Sequence, residues 1–486
     1  MKKSIIIMVL MVISCYCSIY AQESRTSAMG GLSYSIYDKD VTFDLYDFGK
    51  NPAWLIESEK DMWLDIDPSV GNSWGNYRRK FSSDGVYNLK TGVTGVKPLG
   101  ASGTFKAAAY YNYEFRRNTY RTLIKDTYAG ESFFFTDTTT GDVRFNGPTF
   151  MFSHSLMLMD NLYIGAQVNY QILSGLKKKY SFAETTYRDV YGVLGLAYKI
   201  SENFVLGLKY SVRDQQEAIR AEDVNLFSIE AYQYRGETYA VLYRSSVVNH
   251  KVRKMRNEYA MQIYFSPIKR LKIGVSGEFD DYYTKILVPK SSIIDAPEGY
   301  TSYGEYTLNM QAQYSASENL IVGIKTRYNK IDNWSKNSGR DLLLWEWNTD
   351  VLELGAGGSY KFDFYNLVLG AEYSFIKNNA DSSKYIDDRF ASLVSNDNLI
   401  KVGFEFAPAG NLKIRGGINY CTMEHDLLYG GNDVSYSIYT FGLGYSYLDL
   451  AVVDITTDYM NYKIKNENLL KQNNWSTKIT LRLFTF

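Results

Sequence analysis

Beyond its first twenty residues the chain has no apolar run long enough to cross a membrane as a helix. A helical membrane protein is therefore excluded. Proline is scarce, at 8 of 486 residues, and histidine and cysteine number three each. The histidines (His154, His250 and His425) show no zinc spacing, and no serine beside them forms a nucleophile elbow. No catalytic residue, metal site or cofactor is expected, and the chain does not read as an enzyme. Neither sign of charge is in excess, with 53 basic and 53 acidic residues, so nothing points to nucleic acid.

What is abundant is aromatic. Phe, Trp and Tyr make up 16% of the chain, and 44 of these residues are tyrosine. A soluble domain rarely needs so many amphipathic rings, whereas a membrane β-barrel places them in girdles at both interfaces.

The chain opens on Met1-Lys2-Lys3 and an apolar stretch from Ile5 to Ile13, the form of a secretory signal. Cleavage is expected after Ala21, which removes Cys15 and Cys17 and leaves Cys421 as a single thiol. Val12-Ile13-Ser14-Cys15 also has the form of a lipoprotein box, so acylation of Cys15 is the alternative. Either route exports the chain.

From about Asp61 the sequence repeats an alternating segment, a tight turn and a second alternating segment. In residues 161–172, Leu162, Ile164, Ala166, Val168 and Tyr170 share one face, while Tyr163, Gly165, Gln167, Asn169 and Gln171 share the other. Side chains alternate sides along a strand, so one face is apolar and the other polar. The pattern recurs around Leu308, Leu320, Leu412 and Ala451. It places Lys325, Arg327, Lys413, Arg415, Asp454 and Asp458 on polar faces, as candidates to line a lumen. A strand-opening phrase also repeats, as Asn161-Leu-Tyr-Ile-Gly165, Asn203-Phe-Val-Leu-Gly207, Asn319-Leu-Ile-Val-Gly323 and Asn366-Leu-Val-Leu-Gly370. Tight turns fall near Pro98, Asp160, Ser201, Lys269, Ser317, Phe364, Ala409 and Leu448. Eight hairpins predict an antiparallel transmembrane barrel of about fourteen to eighteen strands, short turns at one end and long loops at the other. Phe486 suits the aromatic terminus by which barrel-assembly machinery recognises its clients. The segments 177–179 and 250–256 are expected in those loops, where their basic groups could meet lipopolysaccharide phosphates. Residues from about 214 to 256 read as one long loop. Glycines in strands, such as Gly355, Gly357, Gly358, Gly442 and Gly444, mark bends or close approaches, with contact to an N-terminal segment one possibility.

Between the signal and the first strand stand Ala28-Met29-Gly30-Gly31, Asp40, and Asn51-Pro52-Ala53-Trp54-Leu55. Paired glycines permit tight turns and Asn-Pro breaks a strand, so the segment is a candidate plug or periplasmic arm. These residues resemble the opening of the FadL/TodX-like outer-membrane superfamily, which includes PorV-like proteins. The resemblance covers about thirty residues and implies a hatch folded into the lumen, built on Ala28, Met29, Gly30, Gly31, Asp40, Asn51, Pro52, Ala53 and Leu55. The organisation expected is a signal (1–21), a hatch (22–60) and a barrel (61–486) in the cell outer membrane. Two functions stay open. One is a passive channel or transporter for small or hydrophobic solutes, with a small hydrophobic ligand as partner. The other is a surface barrel acting through its loops as scaffold, adhesin or secretion-system partner.

Overall fold

The computed structural model describes residues 45–46 and 48–484, apart from 80, 122–123, 129–131, 180, 223–228, 246, 290–294, 363–365, 410, 427–430, 449 and 465–466. The expected signal and lipoprotein box, Ala28 to Gly31, Asp40 and Phe486 all lie outside the described residues.

The first strands are β1 (Trp63–Ile66), β2 (Ser69–Gly75), β3 (Gly85–Pro98), β4 (Thr104–Thr119), β5 (Phe133–Asp137) and β6 (Gly141–Met159). Next come β7 (Leu162–Lys179), β8 (Ser181–Ser201), β9 (Phe204–Glu222), β10 (Ile229–Arg235), β11 (Tyr239–Ser245) and β12 (Val247–Ile268). Then follow β13 (Leu271–Pro289), β14 (Asp295–Ser315), β15 (Leu320–Asn337), β16 (Leu342–Lys361) and β17 (Val368–Lys384). The last are β18 (Arg389–Ala409), β19 (Leu412–His425), β20 (Asn432–Tyr447), β21 (Ala451–Ile464) and β22 (Glu467–Leu483).

All but β5, β10 and β11 form one antiparallel sheet that closes on itself, because β22 pairs with β1 and β2, and β1 pairs with β3. β1 and β2 run end to end and occupy one position, so the nineteen strands make an eighteen-stranded barrel. Pro68 stands at the break between them. It has no N–H to give the ladder, but its carbonyl still accepts from Ile479 N at 3.0 Å, so closure is kept.

All eight expected tight turns are present at one end, which also holds the start of β1 and the end of β22. The other end departs from expectation. Most of its connections are short too, and two are long because they carry strands. Residues 214–256 are the end of β9, the β10–β11 hairpin and the start of β12, not one loop. Residues 177–179 lie in β7 and residues 250–256 in β12. The strands, up to 22 residues long, outrun the nine to eleven or so that a bilayer needs, so what reads as polar loop is wall standing beyond the membrane.

The alternation sets two faces. Val168, Leu194, Ile324, Ile400 and Phe441 point outward and are half exposed, forming an apolar belt. Outward aromatics edge the belt, with Phe204 and Phe265 toward the tight turns and Tyr283, Tyr300 and Trp334 toward the far end. Such girdles suit a bilayer's two interfaces. Among the described residues no helix is long and apolar enough to cross a membrane.

Candidate functional site

The barrel holds two bodies, one near each end. At the tight-turn end, residues 45–58 enter the lumen. Asn51 caps a 3-10 turn, Pro52–Trp54, that runs on into one helical turn, Leu55–Ser58. The Asn51 side-chain oxygen accepts from Ala53 N at 3.0 Å, and Pro52 suits the first helical position because that N–H would have no partner. The Asn51 amide nitrogen faces the wall. It lies 3.2 Å from Leu196 O on β8, 3.1 Å from Leu208 O on β9 and 3.1 Å from Gln262 Oε1 on β12. Gln262 in turn donates to Gly49 O.

This approach needs bare wall. Gly165, Gly195 and Gly207 face inward on β7, β8 and β9 beneath the turn. A Cβ at Gly165 would overlap the Pro52 backbone, one at Gly195 would overlap the Asn51 side chain, and one at Gly207 would come within 2.9 Å of Asn51 Nδ2. Around the turn Leu45, Ala53, Tyr163, Ala197 and Val205 make a small apolar core, and Trp54 meets Tyr163 edge to face at 5.1 Å. Polar ties finish the seat. Tyr163 OH donates to Glu57 at 3.0 Å, Lys106 to Glu59 at 2.9 Å, and Ile56 N to Ser155 Oγ at 2.8 Å. Asn51, Pro52, Ala53 and Leu55 thus come together and are buried. Sequence reading singled out the right segment but not its cradle. Gly165 and Gly207 belong to the repeated strand-opening phrase, whereas Gly355 and Gly442 meet the side chains of Lys325 and Arg415 instead.

At the far end β5, β10 and β11 form a separate three-stranded sheet, in the order β11-β10-β5, that serves as a cap. Phe133, Phe134 and Phe135 are buried in one cluster with Phe81, Ile219, Val252, Ile286, Leu344 and Trp345, most of them from the wall. Gly299 leaves room for the Phe133 ring. Phe135 stacks on His250 at 4.6 Å, and Lys177 donates to Asp137 at 2.9 Å with both side chains almost fully buried. His250 and Lys177 are therefore contacts to the cap, not solvated loop groups.

The cap hairpin tip, Gly236-Glu237-Thr238, is held from outside. Asp387, in the turn between β17 and β18, accepts from Glu237 N at 2.8 Å and Thr238 N at 2.8 Å. Glu237 pairs with Lys384 at 2.8 Å and Arg389 at 3.3 Å. Burial alone would raise the Asp387 carboxyl, but the Thr238 hydroxyl, these two amides and nearby Lys384 outweigh it and hold the carboxyl below its ordinary 3.8.

Between plug and cap the inward face carries ion pairs along the wall. Lys325 bridges Glu353 at 2.6 Å and Glu372 at 3.0 Å, and Lys401 joins Glu372 at 3.1 Å. Arg415 pairs with Asp454, and Lys413 lies 3.9 Å from Glu405. Asp458 accepts from Ser476 at 3.4 Å, and Arg327 stands opposite Glu353 in the β15–β16 register. All six sequence-chosen residues face inward. Their partners Glu353, Glu372, Lys401 and Glu405 were missed, as was the cluster of Lys209, Arg256, Glu258 and Asp280. Inward parity would have found them, but only register says who meets whom.

The remaining candidates stay apart. His154 faces outward with Nε2 3.0 Å from Ser102 O, His425 meets Asn432 at 2.8 Å, and Cys421 is buried and free. Among the described residues no group of three or more His, Cys, Asp and Glu is arranged to hold a metal.

Solved barrels resemble this one only in outline. The siderophore receptor PiuA from Acinetobacter baumannii aligns at TM-score 0.45 and 8% identity, over 87% of this chain and 82% of its own. The unliganded ferric citrate transporter FecA gives 0.42 and 9% over 87% and 79%. A deltaS2 mutant of the TodX monoaromatic hydrocarbon channel gives 0.35 and 10% over 94% and 97%. Scores this low carry no inference about solute or mechanism. The FadL/TodX-like resemblance accordingly stays an expectation, and what the structure shows is an eighteen-stranded barrel with an inserted N-terminal segment. No curated protein matches the sequence. A family model does match residues 52–387, which take in the plug motif from Pro52, the cap and most of the wall, and the chain belongs to that family, the family of unknown function DUF6850.

Proposed function

We propose that this protein is an outer-membrane barrel that passes small solutes, the hydrophobic ones implied by the FadL/TodX-like resemblance among them, when the plug or the cap moves. The observation that carries the reading is the seat of Asn51. A segment covalently outside the barrel wall is held in the lumen by hydrogen bonds, a small apolar core and glycines kept bare for it. A static filler needs no such cradle, since bulky side chains from the wall would fill the space. The apolar belt and its two girdles support a membrane setting, and the end with short turns and both barrel termini suits the periplasmic side.

Planar-bilayer conductance tests the proposal. The full chain should conduct little, and deletion of residues 22–58 should raise conductance, further so when the β10–β11 hairpin is shortened. A barrel that stays sealed in both deletion variants while remaining heat-modifiable on a gel overturns the transport reading. One observation favours the second reading, a surface barrel that binds partners. Edge strand β11 presents Tyr239 and Leu242 to solvent, and its outer edge is unpaired among the described residues.

A further inference from the structure

The outer wall carries a depression of about 760 Å³ across β8, β9, β12, β13, β14 and β15. Leu194, Leu208, Met261, Phe279 and Leu308 line it. Its floor is Gly277, which faces outward opposite Met261 and Leu308, and nothing lies within 4 Å of where a Cβ would stand. Its volume falls in the roughly 300–1,000 Å³ range of ligand sites.

Further toward the cap, the same strands turn basic. Arg188 and Arg253 both reach Asp214, at 3.1 and 3.0 Å, and each remains about two-fifths exposed. Arg253 stands directly opposite Lys285 across the β12–β13 ladder, a like-charge pairing that is unfavourable unless an anion is shared. Lys251 and Arg220 continue the face. The acids there are Asp214, already shared by two arginines, Glu184 opposite Arg220, and Asp281. In the β15–β17 sector, by contrast, Asp332, Asp350 and Asp381 balance Lys330, Lys336 and Lys377. Arg253 lies six residues from Tyr259 at the depression, roughly 20 Å along the strand. That spacing matches a lipid with its head at the girdle and its chains in the belt. The girdle is marked here by Tyr283, with Lys285 5.2 Å from its ring.

From this arrangement we infer a binding site for a phosphorylated, multi-acyl lipid of the cap-side leaflet. Arg188, Arg253 and Lys285 hold its phosphate, and the Gly277 depression holds its chains. The site rests on the membrane reading above. A guanidinium pair offers several N–H donors to one phosphate, and partial burial strengthens each bond. The depression spans six strands, wider than one chain requires, which favours several chains over one.

The test uses the full chain in detergent micelles, first shown folded by heat-modifiable migration and inserted by flotation with phosphatidylethanolamine vesicles. Failure of those two controls would count against the membrane reading rather than the site. Bis-phosphorylated lipid A is then added, and the amount retained after detergent exchange is measured. Retention should fall by about tenfold or more when the lipid is dephosphorylated and likewise in an Arg188→Glu/Arg253→Glu variant. It should fall in Gly277→Trp, whose ring fills the depression, and hold in Lys336→Glu, outside the site. Phosphatidylglycerol, with one phosphate and two chains, should be retained less, and inorganic phosphate should compete weakly. Equal retention of phosphorylated and dephosphorylated lipid by the unaltered protein overturns the proposal without any variant. Full competition by inorganic phosphate would also overturn it, since it would leave the depression no part in binding.

Discussion

The two ends of the barrel are closed by opposite means. The plug sits where wall glycines leave it room, and its hold combines directional hydrogen bonds to the wall with a small apolar core. The cap sits where side chains are largest, and its hold is an aromatic core with ion pairs around it. Hydrogen bonds to a bare wall can be exchanged for water when the segment withdraws, at a net cost of about 0.5–1.5 kcal/mol each. Burial of Phe133, Phe134 and Phe135 has no such replacement in water. On the proposed transport reading, the difference makes the plug the more releasable element and the cap the more tightly held one.

The largest effect that could break this contrast is at the cap. Phe134→Ala should cost about 3–5 kcal/mol locally and open residues 229–245 to protease, while the barrel keeps its heat-modifiable migration. If the cap of this variant resists protease as the unaltered protein does, the aromatic core is not what holds it.

A smaller effect is expected at the plug. Asn51→Ala removes the wall contacts and leaves Gln262 buried without one of its partners, a loss of about 1–3 kcal/mol. Cross-linking between cysteines placed at Ile56 and Ser155 should drop sharply, whereas protease resistance of the cap should not change. A joint loss at both ends would show that plug and cap are one cooperative unit.

The smallest effect concerns pH and separates the cap's tip from its core. The Asp387 carboxyl is depressed in the folded protein. Its contribution is therefore complete above its ordinary value of 3.8 and is lost as pH falls through the lower folded value. Hydrogen exchange at the Glu237 and Thr238 amides should quicken in that acid window, and Asp387→Asn should remove the acid-dependent part. Exchange at Phe134 should hold steady throughout. A tip that stays protected at low pH would mean that the Lys384 and Arg389 pairs with Glu237 suffice.

Much of this was legible from the residues. Val168 against Gln167 and Ile324 against Lys325 assign outside and inside by alternation alone, and the structure places each accordingly. The eight turns were readable because polar residues, Asn, Asp, Ser or Glu at most of them and Lys269-Arg270 at one, interrupt the apolar rhythm. The cap was not legible. Phe133-Phe134-Phe135 breaks the two-residue period because both faces of that strand are buried, and His250 and Lys177 look like solvated groups until the cap covers them.

What the sequence determined by itself is local. A strand's period of two fixes which side chains meet lipid and which meet the lumen, whatever the partners are. What only the tertiary structure decided is non-local. Asn51 meets Gln262 across 211 residues, and Glu372 meets Lys325 and Lys401 from two different strands. Such meetings follow from ladder register and from closure at β1, β2 and β22, which are properties of the whole sheet. No window of sequence contains both sides of those contacts, so the cradle, the cap and the pairing of charges came into view only when the barrel was closed.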